Sequence, residues 1–66
     1  MSRDYRARAG HTIRVGSEER RWWWLVIEPT GAVVLEGQAL EETKREAKTA
    51  ARCALRLHLA QRRSAA

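Results

Sequence analysis

Six large apolar residues follow one another in the middle of this 66-residue chain, and the first three are tryptophans. The run extends from Trp22 to Ile27. In an extended strand successive side chains point to opposite faces, so Trp23 must point away from Trp22 and Trp24. A chain of this size has room for one core. The run therefore predicts a strand with one buried face and a second aromatic face that is available to a partner.

The residues after this run predict a tight turn and a second strand. Pro29 presets the backbone φ and Gly31 tolerates a left-handed conformation, as is typical of a short hairpin loop. The resulting register sorts the side chains into two groups. One group is wholly apolar and is predicted to form the core: Trp23, Leu25, Ile27, Val33 and Leu35. The other group is predicted to be exposed and to form a self-association interface: Trp22, Trp24, Val26 and Val34.

The sequence leaves open which partner covers this exposed group. A second copy of the chain is the leading prediction and would give a homodimer of sheets packed face to face. Another protein is an alternative, because contiguous apolar patches often mark interfaces. The N-terminal residues of the same chain are a further alternative. Base stacking on the rings is less favoured, because Glu28 and Glu36 border them.

A helix is predicted to follow the hairpin. Thr43 and Glu46 have the spacing of a capping box, in which the threonine hydroxyl accepts from the glutamate N–H. No helix breaker follows until about Arg62, and alanines recur at helical spacing. We expect Trp23 to lie against these alanines: Ala47, Ala50 and Ala54.

The fold predicted from these signals is α+β, an antiparallel β-hairpin packed on one long C-terminal α-helix. A third strand is left open at Thr12 to Val15, where apolar and polar residues alternate. Residues 1–10 and 63–66 are charged, small and aperiodic, and are expected to be disordered tails. Residues 11–62 are then expected to form a single domain.

The net charge of +5 is unevenly distributed along the chain. Residues 1–21 carry +3, residues 22–43 carry −4 and residues 44–66 carry +6. An excess of basic residues favours nucleic acid or an acidic protein as a partner. Six bases on the helix are predicted to contact phosphates along one side: Arg45, Lys48, Arg52, Arg56, Arg62 and Arg63. A plain solvated helix face is the alternative.

The N-terminal arginines offer a second basic segment. Arg3, Arg6 and Arg8 surround Tyr5 and could form an arm that becomes ordered on nucleic acid. A solubilising tail is the alternative. The leading prediction is thus a small non-enzymatic protein that binds nucleic acid and self-associates. The competing prediction is a protein-interaction factor, such as a phage-type modulator of a host protein, that uses the tryptophan face or the basic helix.

Other classes of function find little support in the sequence. We expect no enzyme, because there is no glycine-rich phosphate loop and no nucleophile–histidine–acid set. We expect no metal, cofactor or small-molecule substrate, because Cys53, His11 and His58 do not supply a zinc ligand set. The longest apolar run is far short of a membrane span. The single cysteine and the absence of a secretory pattern indicate a cytoplasmic protein.

The hairpin and helix together resemble a known type of small protein. The chain contains W-x-V-x-x-P-x-G from Trp24 to Gly31 and T-x-x-E-A-x-x-A-A from Thr43 to Ala51. This outline resembles small β-hairpin–helix proteins of phages and GC-rich bacteria. It is similar, more loosely, to the AP2-like DNA-binding domains at the N-termini of phage integrases. In those domains the sheet enters the major groove through Arg and Trp side chains. Residues 22–36 of this chain contain no basic residue. The resemblance therefore assigns no DNA-binding residues to this chain.

Overall fold

The computed structural model describes the backbone of residues 2–65, and the side chains in that range other than those of residues 39, 40, 64 and 65. Over residues 2–65 the chain forms four strands, one short 3-10 turn and one helix. The strands are β1 (Ser2–Arg6), β2 (Thr12–Glu18), β3 (Arg21–Ile27) and β4 (Val33–Glu41). The 3-10 turn spans Arg8–Gly10, and the helix α1 spans Lys44–Ala65. The predicted α+β class is confirmed, with a larger sheet than expected.

The strands form a single antiparallel sheet in the order β1-β2-β3-β4, so each strand pairs with its neighbour along the chain. The helix α1 packs on one face of this sheet, against β2, β3 and β4. We call this the helix-side face, and the opposite one the open face. On β3 the open face carries Trp23, Leu25 and Ile27, because these alternate with the buried Val26.

The connection between β2 and β3 is a two-residue turn. Glu18 pairs with Arg21, and the intervening Glu19 and Arg20 have φ values of 49° and 68°. Positive φ at both central residues defines a type I′ turn, whose twist matches that of the flanking strands. Asn-Gly is the usual sequence for such a turn, so neither residue would have signalled it.

The connection between β3 and β4 is the predicted turn. The Gly31 N–H donates to the Glu28 carbonyl at 2.8 Å, and Gly31 has a φ of 97°. Ile27 lies opposite Val33 as expected, but a bulge then shifts the register. As a result Val26 lies opposite Leu35, and not opposite Val34.

The prediction of which face is buried was wrong, apart from Leu35, which the bulge places opposite Val26 and which packs on the core as expected. Ile13, Val15 and Val26 are at most 1% exposed and form the core with α1. The residues predicted to form an exposed interface instead pack on this core: Trp22, Trp24 and Val34 are partly buried against it, and Val26 is itself within it. The predicted self-association interface is therefore not a free surface.

The strand β2 explains why this face is buried. Ile13 lies opposite Val26, and Val15 lies opposite Trp24, so β2 adds two branched apolar side chains to the helix-side face. On the open face the same strand contributes Arg14 opposite Leu25. The bulge in β4 also places Glu36 opposite Leu25, on the open face. The apolar residues of all the strands together therefore favour burial of the helix-side face, whereas those of the hairpin alone predicted burial of the open face.

The start of α1 is capped as predicted. The Glu46 N–H donates to the Thr43 Oγ1 at 3.1 Å, and the Thr43 hydroxyl donates to the Glu46 carboxylate at 2.9 Å. Ala47, Ala51 and Leu55 recur every four residues and are the buried residues of the helix. The small side chains of Ala47 and Ala51 allow this part of the helix to approach the sheet closely. The tryptophans on this face are Trp22 and Trp24, so the expected contact of Trp23 with the alanines was also wrong.

The predicted tails belong to the folded domain. Residues 2–6 form β1, which pairs with β2 over its full length, and the 3-10 turn follows at once. The helix continues through Arg63 to Ala65, and residue 66 lies outside the described range. Arg14 holds β1 through its side chain as well, since its Nε donates to the Asp4 Oδ1 at 2.7 Å. The predicted boundaries at residues 10 and 63 were therefore wrong.

Candidate nucleic-acid interface

The strand β1 brings the N-terminal basic residues to the side of α1. Tyr5 lies opposite Ile13 and packs against the core, which fixes the direction of the strand over the helix. The ammonium groups of Lys48 and Lys44 lie 4.0 Å and 5.6 Å from the centre of the Tyr5 ring. Cation–π contacts of this kind add to the packing between β1 and the first turns of α1.

Basic residues also alter the chemistry of the Tyr5 hydroxyl. A hydrogen bond with Lys44 lowers the pKa of Tyr5, and the charges of Lys44, Lys48 and Arg3 act in the same direction. A positive potential favours the ionised form of an acid. The direction of this shift indicates that the edge where β1 meets α1 is positive.

Beyond Tyr5 the chain turns sharply and presents Arg8. Ala9 and Gly10 adopt left-handed conformations with φ of 54° and 76°. A Cβ at Gly10 would come within 3.1 Å of the Pro29 ring, so the turn also packs closely on the β3–β4 loop. The turn is therefore held by its own backbone conformation and by its contact with the loop. Together these fix the position of the Arg8 backbone, from which the side chain extends.

The side chain of His11 binds the backbone of this turn. It is only 4% exposed, and its Nδ1 lies 3.1 Å from the carbonyl oxygens of both Arg8 and Ala9. Because both partners accept, Nδ1 carries the hydrogen. Its Nε2 is buried and has no hydrogen-bond partner within the described part of the chain. Sequence reasoning gave His11 no such role, since the contact depends on a turn that was not predicted.

The turn and α1 together enclose a groove that is lined by arginine. Its first part, of about 400 Å³, lies between Arg6–Arg8 and the middle of the helix, with the buried Leu55 in its wall. Its second part, of about 620 Å³, continues toward the end of the helix and shares Arg8 and Arg56 with the first. Every charged side chain that lines either part is an arginine: Arg6, Arg8, Arg52, Arg56, Arg62 and Arg63. We call this the arginine groove.

The arginine groove combines two segments that the sequence left separate. Four of the predicted helix residues line it: Arg52, Arg56, Arg62 and Arg63. Lys48 lies instead against Tyr5, and Arg45 is exposed outside the groove, near the start of α1. Arg6 and Arg8, assigned to a disordered arm, form the opposite wall. Their pairing with the helix depends on β1, which the sequence did not reveal.

The described residues contain neither a metal-ligand cluster nor a membrane-spanning helix. Among them there is no group of three or more histidine, cysteine or acidic side chains placed to hold a metal ion. Within the same range no helix is long and apolar enough to cross a membrane. Cys53 is exposed on α1.

Similarity to other proteins does not identify the groove. A comparison with protein-family models gives no match to the chain, and neither the curated proteins nor the solved structures that were compared contain a significant match.

Proposed function

We propose that this protein binds nucleic acid without catalysing a reaction, and that the arginine groove receives the phosphate backbone. The observation that supports this proposal is the lining of the groove, in which arginine supplies every charged side chain. Arginine is the side chain best suited to phosphate, because its guanidinium is planar, permanently charged and able to donate two parallel hydrogen bonds.

The length of the groove suits several phosphates in succession. From Arg52 to Arg63 the helix rises by about 16 Å, at ~1.5 Å per residue. Phosphates of one strand of a duplex are about 3.4 Å apart along the axis, so this length matches about five of them. Arg6 and Arg8 approach the same path from the other wall. Residues 2–65 contain a single α-helix and no metal-ligand cluster, so neither a helix-turn-helix nor a zinc finger accompanies the groove in this range. We therefore take the proposed binding to be through the backbone and independent of sequence.

Salt dependence is the direct test of this proposal. Fluorescence anisotropy with a labelled duplex of about 20 base pairs, measured from low to moderate salt, gives the slope of log K against log salt concentration. If the six arginines all contact phosphates, the slope reaches about −5, at ~0.9 per phosphate neutralised. Arg56→Gln removes a side chain shared by both parts of the groove and is expected to reduce the slope by about one.

Arg20→Gln is the matched control. It makes the same change of charge in the β2–β3 turn, at the opposite end of β2 from the groove. We expect its slope to equal that of the wild type. If the wild type does not bind the duplex even at low salt, or if both variants change the slope equally, the proposal is wrong.

An acidic protein segment is the second candidate for the groove. Carboxylates accept the same bidentate hydrogen bonds from arginine as phosphates do. Capture of one host protein that persists after nuclease treatment, together with no binding to the duplex, would favour this alternative. Both versions fit the cytoplasmic setting expected from the sequence.

A further inference from the structure

The open face of the sheet carries an apolar surface that the chain itself leaves uncovered. Trp23, Leu25 and Ile27 lie in a line along β3 and are each only partly buried. Val33 lies opposite Ile27 and is 52% exposed. Trp23 and Leu25 also line a shallow groove of about 580 Å³ against β4. A tryptophan and three aliphatic side chains in one patch are unusual on a free surface.

The charges around this patch are nearly balanced. Alternation along the strands assigns two bases and three acids to the open face: Arg14, Arg21, Asp4, Glu18 and Glu36. Arg6 lines the arginine groove and is not counted here. Two bases and three acids leave this face with a charge of −1, although the chain as a whole has a net charge of +5. Such a face offers no general attraction to a polyanion, so it is not an extension of the arginine groove. It also offers little net repulsion to a second copy of itself.

We propose that the open face binds the open face of a second copy, which gives a two-fold dimer. A two-fold axis along β3 stacks the two β3 strands and places β2 of one copy over β4 of the other. Across one row of the sheet Arg14, Leu25 and Glu36 are consecutive neighbours. The axis then superposes Leu25 on its equivalent and brings Arg14 of each copy opposite Glu36 of the other. The charges on this face are thus self-complementary, and its centre is apolar.

The dimensions of the face predict a weak dimer. Strands about 4.8 Å apart and about seven residues long give a footprint of roughly 450 Å². Stable interfaces bury about 800 Å² on each partner, so this contact belongs to the small and transient class. The measurement must therefore extend to protein concentrations of several hundred micromolar.

The solution mass over a range of concentrations tests the proposal. Sedimentation equilibrium of the wild type is expected to show a rise from 7.6 kDa toward twice that mass. Leu25→Glu places a charge at the centre of the face and is expected to weaken association by at least about 30-fold. Leu57→Glu makes the same change at an exposed leucine on α1, 63% exposed, and is expected to associate like the wild type. Circular dichroism checks that both variants are folded.

A second measurement does not depend on a destabilising change. The double variant Leu25→Cys/Cys53→Ser moves the single thiol from α1 to the proposed axis. A short bismaleimide should link this variant into a dimer, because facing sheets are about 10 Å apart. The wild type, with its thiol on the helix, should remain unlinked. A wild type that stays monomeric at all concentrations, or cross-linking through Cys53 alone, would overturn the proposal without affecting the one for the groove.

Discussion

Two tryptophans lie over glycines on opposite faces of the sheet, and this pairing allows a quantitative test of which face is the core. Trp24 lies opposite Gly37 on the helix-side face, and Trp23 lies opposite Gly16 on the open face. A Cβ at Gly37 would be 2.2 Å from the Trp24 Nε1, and one at Gly16 would be 2.1 Å from the Trp23 ring. Alanine at either site therefore forces an indole to move by more than 1 Å, since ordinary contacts are about 3.5–4.0 Å.

Gly37→Ala is expected to destabilise the protein because Trp24 has no free direction in which to move. Its ring packs on the buried core beneath α1. Overfilling a packed site costs about 1–3 kcal/mol. Replacing a strand glycine recovers about 0.5–1 kcal/mol of chain entropy. The net loss is about 1–2 kcal/mol in the free energy of unfolding, or a fall in Tm of roughly 5–15 °C.

Gly16→Ala is the matched comparison, with the same chemical change under the other tryptophan. Trp23 can tilt away from the sheet into solvent, so we expect little net loss of stability. Urea denaturation followed by tryptophan fluorescence, at a few micromolar protein to keep the chain monomeric, gives both values. A Gly37→Ala protein as stable as the wild type, or a larger loss in Gly16→Ala, would refute the assignment of the faces.

The remaining predictions concern the β2–β3 turn and the β1–β2 pairing. Glu19→Asn/Arg20→Gly supplies the residues that a type I′ turn prefers and should raise the free energy of unfolding by about 1 kcal/mol, measured by thermal denaturation; no gain would contradict the left-handed turn. Arg14 holds the pKa of Asp4 below its ordinary value of 3.8, so the ionised carboxylate stabilises the folded state above that pH, and this contribution is lost as the pH falls through the lowered pKa. Acid titration of stability from about pH 5 to pH 2 should therefore show a larger loss in the wild type than in Asp4→Asn, and equal losses would contradict the ion pair.

The parts of the fold that were predicted correctly depend on neighbours in sequence. The Glu28–Gly31 turn and the Thr43–Glu46 cap are formed by residues three apart, and the bond from the Glu46 N–H to the Thr43 hydroxyl is the one expected. The type I′ turn is equally local but was not recognisable, because Glu19 and Arg20 are not the residues that favour it.

The parts that were missed depend on distant pairings. The strand β1 has the sequence SRDYR, which lacks the apolar alternation of a strand. It is held by backbone pairing with β2, by the Arg14–Asp4 ion pair and by the partly buried ring of Tyr5. The buried face of β3 depends in turn on Ile13 and Val15, which lie on a strand that the sequence only suggested. Periodicity identified which tryptophans share a face, but it could not identify which face the helix covers.

The arginine groove shows the same limit in the candidate site. The basic residues of α1 were evident from their spacing, and those of residues 3–8 from composition. Their convergence is a consequence of β1, so the site has two walls where the sequence predicted one stripe and one tail. The residue that could have connected them is Tyr5. It is a large ring among charged residues, and it lies opposite Ile13, on the helix-side face.

The order of the strands also separates opposite charges across the sheet. The strand β1, with Arg3 and Arg6, is one edge of the sheet, and β4, with Glu36 and Glu41, is the other. The field of such an arrangement orients the molecule before contact, so that the β1 edge leads toward any polyanion and the β4 edge trails. If the protein binds nucleic acid as proposed, the coated nucleic acid would present the glutamates of β4 to the surroundings. Its outer surface would repel a further layer of nucleic acid, which would limit bundling of one strand with another.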